Sequence, residues 1–350
     1  MTVRVPAIEI GRRIGATEPP FVIAELSANH LGSLPRALAI VDAAADAGCD
    51  ALKLQTFTPA SMTLESDVSD FHIADGPWKG RSLWELYDEA HTPWEWHARL
   101  FEHGRSRGLV VFSTPFDAVA VERLDRLGAP AFKIASFEVV DLELIACAAR
   151  TNKPLIVSTG MASDAEVGEA IEVARTHGNG GVALLHCVSG YPTPIEQTNL
   201  RRLDAIARHG TVVGISDHSP GAVVPIAAVG RGASIVEKHL TLARADGGPD
   251  AGFSLEPAEI AEVVRGCALA WRALGDGGSQ RPEIENGSRN FRRSLYVVAD
   301  LAPGDELTRG NVRSIRPGFG LAPRELPAVI GKRARVSISR GTPLAWELIA

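Results

Sequence analysis

Several familiar features are missing from this sequence, and each absence excludes something. No apolar run approaches the roughly 20 residues that cross a bilayer, and the opening MTVRVPAIEI lacks the apolar core of a secretion signal. A cytoplasmic location with no membrane partner is expected. No block of lysine or arginine stands against the net charge of −6, so nucleic acid is not an expected partner either. Any bound anion must be held by a few local cations. The four cysteines, Cys49, Cys147, Cys187 and Cys267, are far apart and form no CxxC pair, which reads as reduced, mostly buried thiols. No GxGxxG follows the first apolar run, and no GxSxG elbow occurs, so neither a dinucleotide fingerprint nor an elbow serine is present.

What the chain does have is alternation. Eight β-rich apolar runs recur: FVIAE (21–25), ALKLQ (51–55), LVVFS (109–113), AFKIA (131–135), PLIVS (154–158), VALLH (182–186), TVVGIS (211–216) and SIVEKH (234–239). Segments of helical period, such as RALAIVDAAADAGC and DAEVGEAIEVARTHG, lie between most of them. Eight such repeats predict an α/β fold, a closed (β/α)8 TIM barrel, over an open doubly wound sheet. At 350 residues the chain is long for one core. The stretch GDGGSQRPEIENGSR (275–289) reads as a linker, giving a barrel domain over 1–280 and a small C-terminal domain over 290–350 with short strands and Pro-Gly turns. The second connection, 57 to about 105, is far longer than the others. It holds Trp78, Trp84, Trp94 and Trp96, and a packed helical insertion is the preferred reading over a lid.

The polar residues gather at one end of the runs, the C-terminal rim where such barrels keep their chemistry. Glu25, Asn29 and His30 follow the first run. Lys53 and Gln55 close the second, Ser113 and Thr114 the third, and Lys133, Ser136 and Glu138 belong to the fourth. Ser158 ends the fifth, Ser189 and Tyr191 follow the sixth, and the last two end in Ser216-Asp217-His218 and Glu237-Lys238-His239. Alternation along a strand puts Ser216 and His218 on one face and Asp217 on the other, with Glu237 and His239 together on the next strand. Two imidazoles on adjacent strands can share one divalent metal, and they can equally be hydrogen-bonded rim histidines. No HxxH-type spacing decides between these. Lys53 and Lys133 admit three readings: anion-binding cations, partners of Glu25 and Glu138 in ion pairs, or a Schiff-base lysine. Ser216-Asp217-His218 is not a catalytic triad, because consecutive strand residues cannot converge.

The motifs IAELSANHLGS, DALKLQTFTP, FSTPFD, FKIASFE, LIVSTGMA, HCVSGYPTP, GISDHS, VEKHLTL and GGPDAGFS resemble the sialic acid synthase family in order and spacing. The tail from FRRSLYVV to RGTPL is similar to the antifreeze-like (SAF) domain that follows the barrel in that family. ELSANH, SLWELYDEAHTPWEWH and GGPD resemble its pseudaminic branch. The resemblance implies condensation of phosphoenolpyruvate with an amino-sugar aldehyde, here 2,4-diacetamido-2,4,6-trideoxy-L-altrose. N-acetylneuraminate or legionaminic acid synthesis is the alternative. A Schiff-base aldolase and a non-catalytic sugar-binding protein are more distant ones. It also implies a metal, Mn²⁺ before Mg²⁺ or Co²⁺, on His218 and His239. Phosphoenolpyruvate would be held by Lys53, Thr114, Lys133, Ser136, Ser158 and Ser216, with Glu25 handling water or a proton. Gln55, Glu138, Tyr191 and Asp250 would meet the sugar. Arg316 would reach a partner's active site in a domain-swapped homodimer.

Overall fold

In the computed structural model the described residues are 6–278, 280 and 282–350. Eight parallel strands close into a barrel in which each pairs with the next in chain order and the last with the first. The strands are β3 (Phe21–Glu25), β4 (Ala51–Thr56), β5 (Val110–Pro115), β6 (Phe132–Ile134), β7 (Leu155–Ser158), β8 (Val182–Cys187), β9 (Val212–Ser216) and β10 (Ile235–His239). The TIM barrel read from the sequence is therefore the observed fold. The strands are buried on both faces, which is why they appear as apolar runs instead of alternating ones.

Helices pack around the outside. In chain order they are α1 (Leu34–Asp46), α2 (Pro59–Met62), α3 (Leu83–Ala90), α4 (Trp94–Ser106), α5 (Ala118–Arg126), α6 (Leu142–Ala149), α7 (Asp164–His177), α8 (Arg202–Ile206), α9 (Val223–Gly230) and α10 (Pro257–Leu274). Their starts carry the expected caps. Ser33, Asp117, Asp141 and Ser163 each accept a backbone N–H of the first turn of α1, α5, α6 and α7. One core lies between these helices and the outer faces of the strands, with Leu52, Leu54, Val111, Ile134 and Val236 among its members.

A second core fills the barrel's interior. Phe21, Ile23, Ala51, Phe112, Ala131, Ile156, Ala183, Leu185, Val212 and Ile235 pack there with Ile8, Ile10 and Ile14. Those three isoleucines belong to an antiparallel hairpin, β1 (Ala7–Ile10) and β2 (Arg12–Gly15), joined at Gly11, whose φ of +68° suits glycine. Sequence reading did not assign the hairpin, nor α10 after the last strand.

Inside the barrel, stepping two residues along each strand leads from this apolar floor to a polar rim. Ile23 is followed by Glu25, Ala51 by Lys53 and Gln55, Phe112 by Thr114, and Ala131 by Lys133. On the other side Ile156 leads to Ser158, Leu185 to Cys187, and Ile235 to Glu237 and His239. Gly214 sits between: a Cβ there would lie 2.5 Å from Ile235 O and 2.7 Å from Leu185 Cδ2. The period of two alone delivers eight strands' polar groups to one mouth.

The chain divides after Gly275. The second unit runs from Asp276 to Ala350. It carries the antiparallel pair β11 (Ser294–Val297) and β12 (Val312–Ile315), the short helix α11 (Leu326–Val329), and its own core of Leu295, Val297, Leu301, Leu307, Val312, Val329, Ile338 and Leu344. Among the described residues no helix is long and apolar enough to cross a membrane.

Candidate active site

Four ionisable side chains meet inside the mouth, all almost fully buried: Glu25, Lys53, Lys133 and Glu237. Lys53 Nζ is ion-paired with Glu25, donates to Thr114 Oγ1 at 3.0 Å, and lies 3.6 Å from Glu237 Oε1. Lys133 Nζ lies 3.9 Å from the same Oε1 and donates to Ile134 O at 3.1 Å. Ser216 Oγ donates to Glu237 Oε1 at 3.1 Å. Glu237 is therefore the centre of the cluster, held between two lysines and a hydroxyl. Of the ion-pair partners the sequence offered, Glu25 pairs with Lys53, whereas the carboxylate within 4 Å of Lys133 is Glu237, contributed by a strand across the barrel.

The two carboxylates are held in different protonation states. Burial opposes the charge on Glu237, but Lys133 and Lys53 outweigh it and keep the pKa below the usual range. For Glu25 burial wins over Lys53, Glu237 adds repulsion, and the pKa rises to about 7. Burial lowers the pKa of Lys133 despite Glu237, whereas Glu237 and Glu25 overcome burial at Lys53 and raise it. One carboxylate is a fixed counter-ion; the other exchanges a proton near neutrality.

Beside this cluster stand hydroxyls. Ser158 Oγ and Ser189 Oγ are buried without a hydrogen-bond partner, as is Glu237 Oε2. Ser136 Oγ accepts from Gly160 N at 3.1 Å. Position 160 admits no side chain, since a Cβ would stand 2.6 Å from Ser189 Oγ and 2.8 Å from Ser136 Oγ. Orphaned donors beside two cations are groups that a small anion can satisfy.

The two imidazoles are neighbours. His218 and His239 have ring centroids 5.3 Å apart, inclined at 56°. His218 Nδ1 is 3.2 Å from Val188 O, so it carries a proton, and although burial opposes the charge, the Cys187 thiol bonded to the ring and Val188 O raise its pKa. His239 is buried, its pKa is driven well below normal by burial and by His218, and its Nδ1 has no partner. His239, kept neutral with an unpartnered Nδ1 among the described residues, and the adjacent His218 form a donor pair that fits a divalent ion, which would displace the proton of His218. Among the described residues no group of three or more His, Cys, Asp or Glu gathers in metal-binding geometry.

The route to His218 differs from strict strand alternation. β9 ends at Ser216, so His218 lies on the loop beyond it. A buried network fixes that loop: Asp217 accepts Ser219 N at 3.0 Å, Ser219 Oγ at 2.9 Å and Lys238 Nζ at 2.9 Å, and Lys238 also donates to Ser219 O. Thr193 N donates to His218 O at 3.1 Å. Asp217 and Lys238 point away from the mouth and hold the histidine from behind.

Further polar groups line the mouth. Gln55 Nε2 donates to Ser27 Oγ at 3.0 Å, and Ser27 Oγ donates to Asp250 Oδ2. Ser27 has a φ of +48° and joins this chain to the charge cluster through Ser27 N and Glu25 Oε1 at 3.1 Å. Glu138 is half-buried with an unpartnered Oε2, and burial raises its pKa to about 7. Tyr191 stacks 4.4 Å from His218 and 5.0 Å from Phe253. Sequence reading did not single out Ser27, Glu237 or Phe253. The doublet spacing of Glu237 from His239 was the available signal for the second.

Not every rim residue belongs to the mouth. His30 packs edge-on against Trp96 with Nε2 3.3 Å from Ala90 O, and Asn29 Nδ2 donates to Leu240 O and Ser254 Oγ. His97 and His186 are also committed to local bonds, with Thr56 and Thr198. Arg316 lies in the second unit, exposed.

Residues 40–279 match the model of the NeuB family and residues 292–350 that of the SAF domain. A pseudaminic acid synthase of Campylobacter jejuni is 43% identical over 325 residues, covering 93% of this chain and 95% of its own. A pseudaminic acid synthase of Helicobacter pylori is 41% identical over 332 residues, 94% of this chain and 98% of its own. The crystal structure of an N-acetylneuraminic acid synthetase from Leptospira borgpetersenii, in complex with citrate, superimposes with a TM-score of 0.73 at 30% identity, over 81% of this chain and 95% of that one.

Proposed function

Since the chain belongs to the NeuB family, we propose that it condenses phosphoenolpyruvate with open-chain 2,4-diacetamido-2,4,6-trideoxy-L-altrose, giving pseudaminic acid and inorganic phosphate. The observation that carries this reading is the Lys53–Glu237–Lys133 cluster opening onto orphaned serine hydroxyls, beside two neutral-capable imidazoles in one mouth. The choice of sugar rests on the relatives, at 41–43% identity for the pseudaminic branch against 30% for the N-acetylneuraminic synthetase.

In this reading Lys53, Lys133, Thr114, Ser136, Ser158 and Ser216 bind the phosphate and carboxylate of phosphoenolpyruvate. The enol carbon C3 attacks the aldehyde, water adds at C2, and phosphate leaves from the tetrahedral centre. Glu25, poised near neutrality, takes the proton from that water. Gln55, Asp250, Glu138 and Tyr191 orient the sugar. His218 and His239 hold a divalent ion, Mn²⁺ before Mg²⁺ or Co²⁺, which when bound supplies Lewis-acid polarisation of the aldehyde oxygen. The exposed Arg316 is assigned to the active site of a partner in a domain-swapped homodimer. Phosphoenolpyruvate is a metabolite of the cytoplasm, and the enzyme is placed there.

A panel of sugars tests the function. The protein is incubated with phosphoenolpyruvate, Mn²⁺ and either the trideoxy sugar, the legionaminic precursor or N-acetylmannosamine, and product mass is read. Product of the mass of pseudaminic acid with release of phosphate, abolished by chelator, is expected in the incubation with the altrose sugar and not in that with the legionaminic precursor. Turnover of N-acetylmannosamine alone contradicts the choice of sugar. Borohydride trapping of pyruvate on Lys133 with no effect of chelator contradicts the reaction itself.

A further inference from the structure

The excursion after β4 brings one residue to the mouth that neither the charge cluster nor the imidazole pair explains. Trp78 is half-buried although its neighbours from Ala74 to Pro77 are exposed. Its indole N–H donates to Pro249 O at 2.8 Å. Its ring lies 5.7 Å from Tyr191 and 6.3 Å from Phe253, and Tyr191 in turn faces His218 at 4.4 Å. The preferred reading of this excursion as a packed insertion is thus incomplete: α3 and α4 are packed, while the irregular part before them reaches the site.

The result is a mouth with two unlike sides. Gln55, Ser27 and Asp250 form a hydrogen-bonded chain on one. Trp78, Tyr191 and Phe253 form a continuous ring surface on the other. The two meet at Pro249-Asp250, where the indole bond holds the residue next to the carboxylate. The face of the Trp78 indole, its N–H already committed to Pro249 O, accepts a methyl group with gain and offers a primary hydroxyl no acceptor or donor in return for the water it loses.

We infer that Trp78 is a specificity-determining residue, its ring forming an apolar wall for the methyl-bearing, deoxy end of the sugar. The inference rests on the pseudaminic reading above and names the residue that selects the sugar. A 6-deoxy, diacetamido sugar presents methyl groups to such a wall, where N-acetylmannosamine presents a hydroxyl at its last carbon.

Two variants separate the ring from its N–H. Trp78→Ala removes both; Trp78→Phe keeps a ring and loses the bond to Pro249. Steady-state rates are measured for the trideoxy sugar and for N-acetylmannosamine, with melting curves as the control for folding. In Trp78→Ala the ratio of kcat/KM for the trideoxy sugar to that for N-acetylmannosamine falls about tenfold or more, as expected for losing a methyl-sized contact. The rise is in the KM for the sugar, and the KM for phosphoenolpyruvate is unchanged. Trp78→Phe keeps most of the ratio. An unchanged ratio in folded Trp78→Ala overturns the inference, and so does an equal loss in Trp78→Phe, which assigns the effect to the Pro249 bond. Failure of the pseudaminic reading is seen separately, in the unmodified protein: it then turns over N-acetylmannosamine alone.

Discussion

Replacing Glu237 with glutamine removes the charge that two buried lysines share. At separations of 3.6 and 3.9 Å, and an effective dielectric constant of about 20, each attraction is worth roughly 4–5 kcal/mol before desolvation is counted. The two lysines are not left equally exposed. Lys53 keeps Glu25 and Thr114, whereas Lys133 keeps a single backbone carbonyl. Burial already lowers the pKa of Lys133, and without Glu237 it falls further, so the lysine sheds its proton and limits the damage. The net loss is expected at about 3 kcal/mol, the lower end for breaking a buried pair. For a domain of this size that lowers the melting temperature by about 6 °C. Circular dichroism on Glu237→Gln and on the double variant Glu237→Gln/Lys133→Met measures it. The double variant, with both charges gone, is expected to regain most of the lost stability and to stay inactive, as the anion-binding role proposed for Lys133 requires. A single variant melting with the unmodified protein, or a double variant melting below the single one, refutes the cluster's charge assignment.

Other outcomes follow from the same geometry. Glu25 has its pKa raised from 4.5 to about 7, so the folded state holds its proton more tightly; the stability this adds is present below pH 4.5 and is lost as pH rises to about 7. Glu25→Gln should flatten that part of the stability curve and remove the limb of the rate profile near pH 7, and a limb that persists assigns the proton to another group. Lys238→Met should weaken Mn²⁺ binding about 10–100-fold by freeing the turn behind His218, with the KM for phosphoenolpyruvate unchanged. Calorimetric titration of Mn²⁺ checks it, and unaltered affinity removes the positioning role. Arg316→Ala and Glu25→Ala, each inactive alone, should recover activity when mixed and allowed to exchange subunits; no recovery argues against delivery of Arg316 to a partner.

The barrel was legible because parallel strands buried on both faces leave unbroken apolar runs, and because each run ends in a polar residue two steps beyond its last interior apolar one. Ile23 to Glu25 and Ile235 to Glu237 are instances. What was not legible is whatever depends on neighbours across the barrel. Lys133 and Glu237 lie 104 positions apart in the chain, and no local period brings them together. Glu138, five residues from Lys133, is the nearer carboxylate in sequence, yet the one within 4 Å of the lysine is Glu237. His218 was placed by extending strand alternation past Ser216, but the strand stops there and the Asp217–Lys238 network takes over. The hairpin β1–β2 escaped notice because Gly11 divides two short runs that resemble an irregular leader. Trp78 was hidden among four tryptophans of one excursion, of which only its position beside Pro249 marks it.

The pairing of the two histidines is tested most directly by anomalous diffraction from crystals soaked with Mn²⁺ and phosphoenolpyruvate. A single manganese peak within bonding distance of both His218 and His239, beside electron density for phosphoenolpyruvate against Lys53 and Lys133, is the expected result. Manganese bound elsewhere, or phosphoenolpyruvate bound with both imidazoles turned from it, contradicts the site.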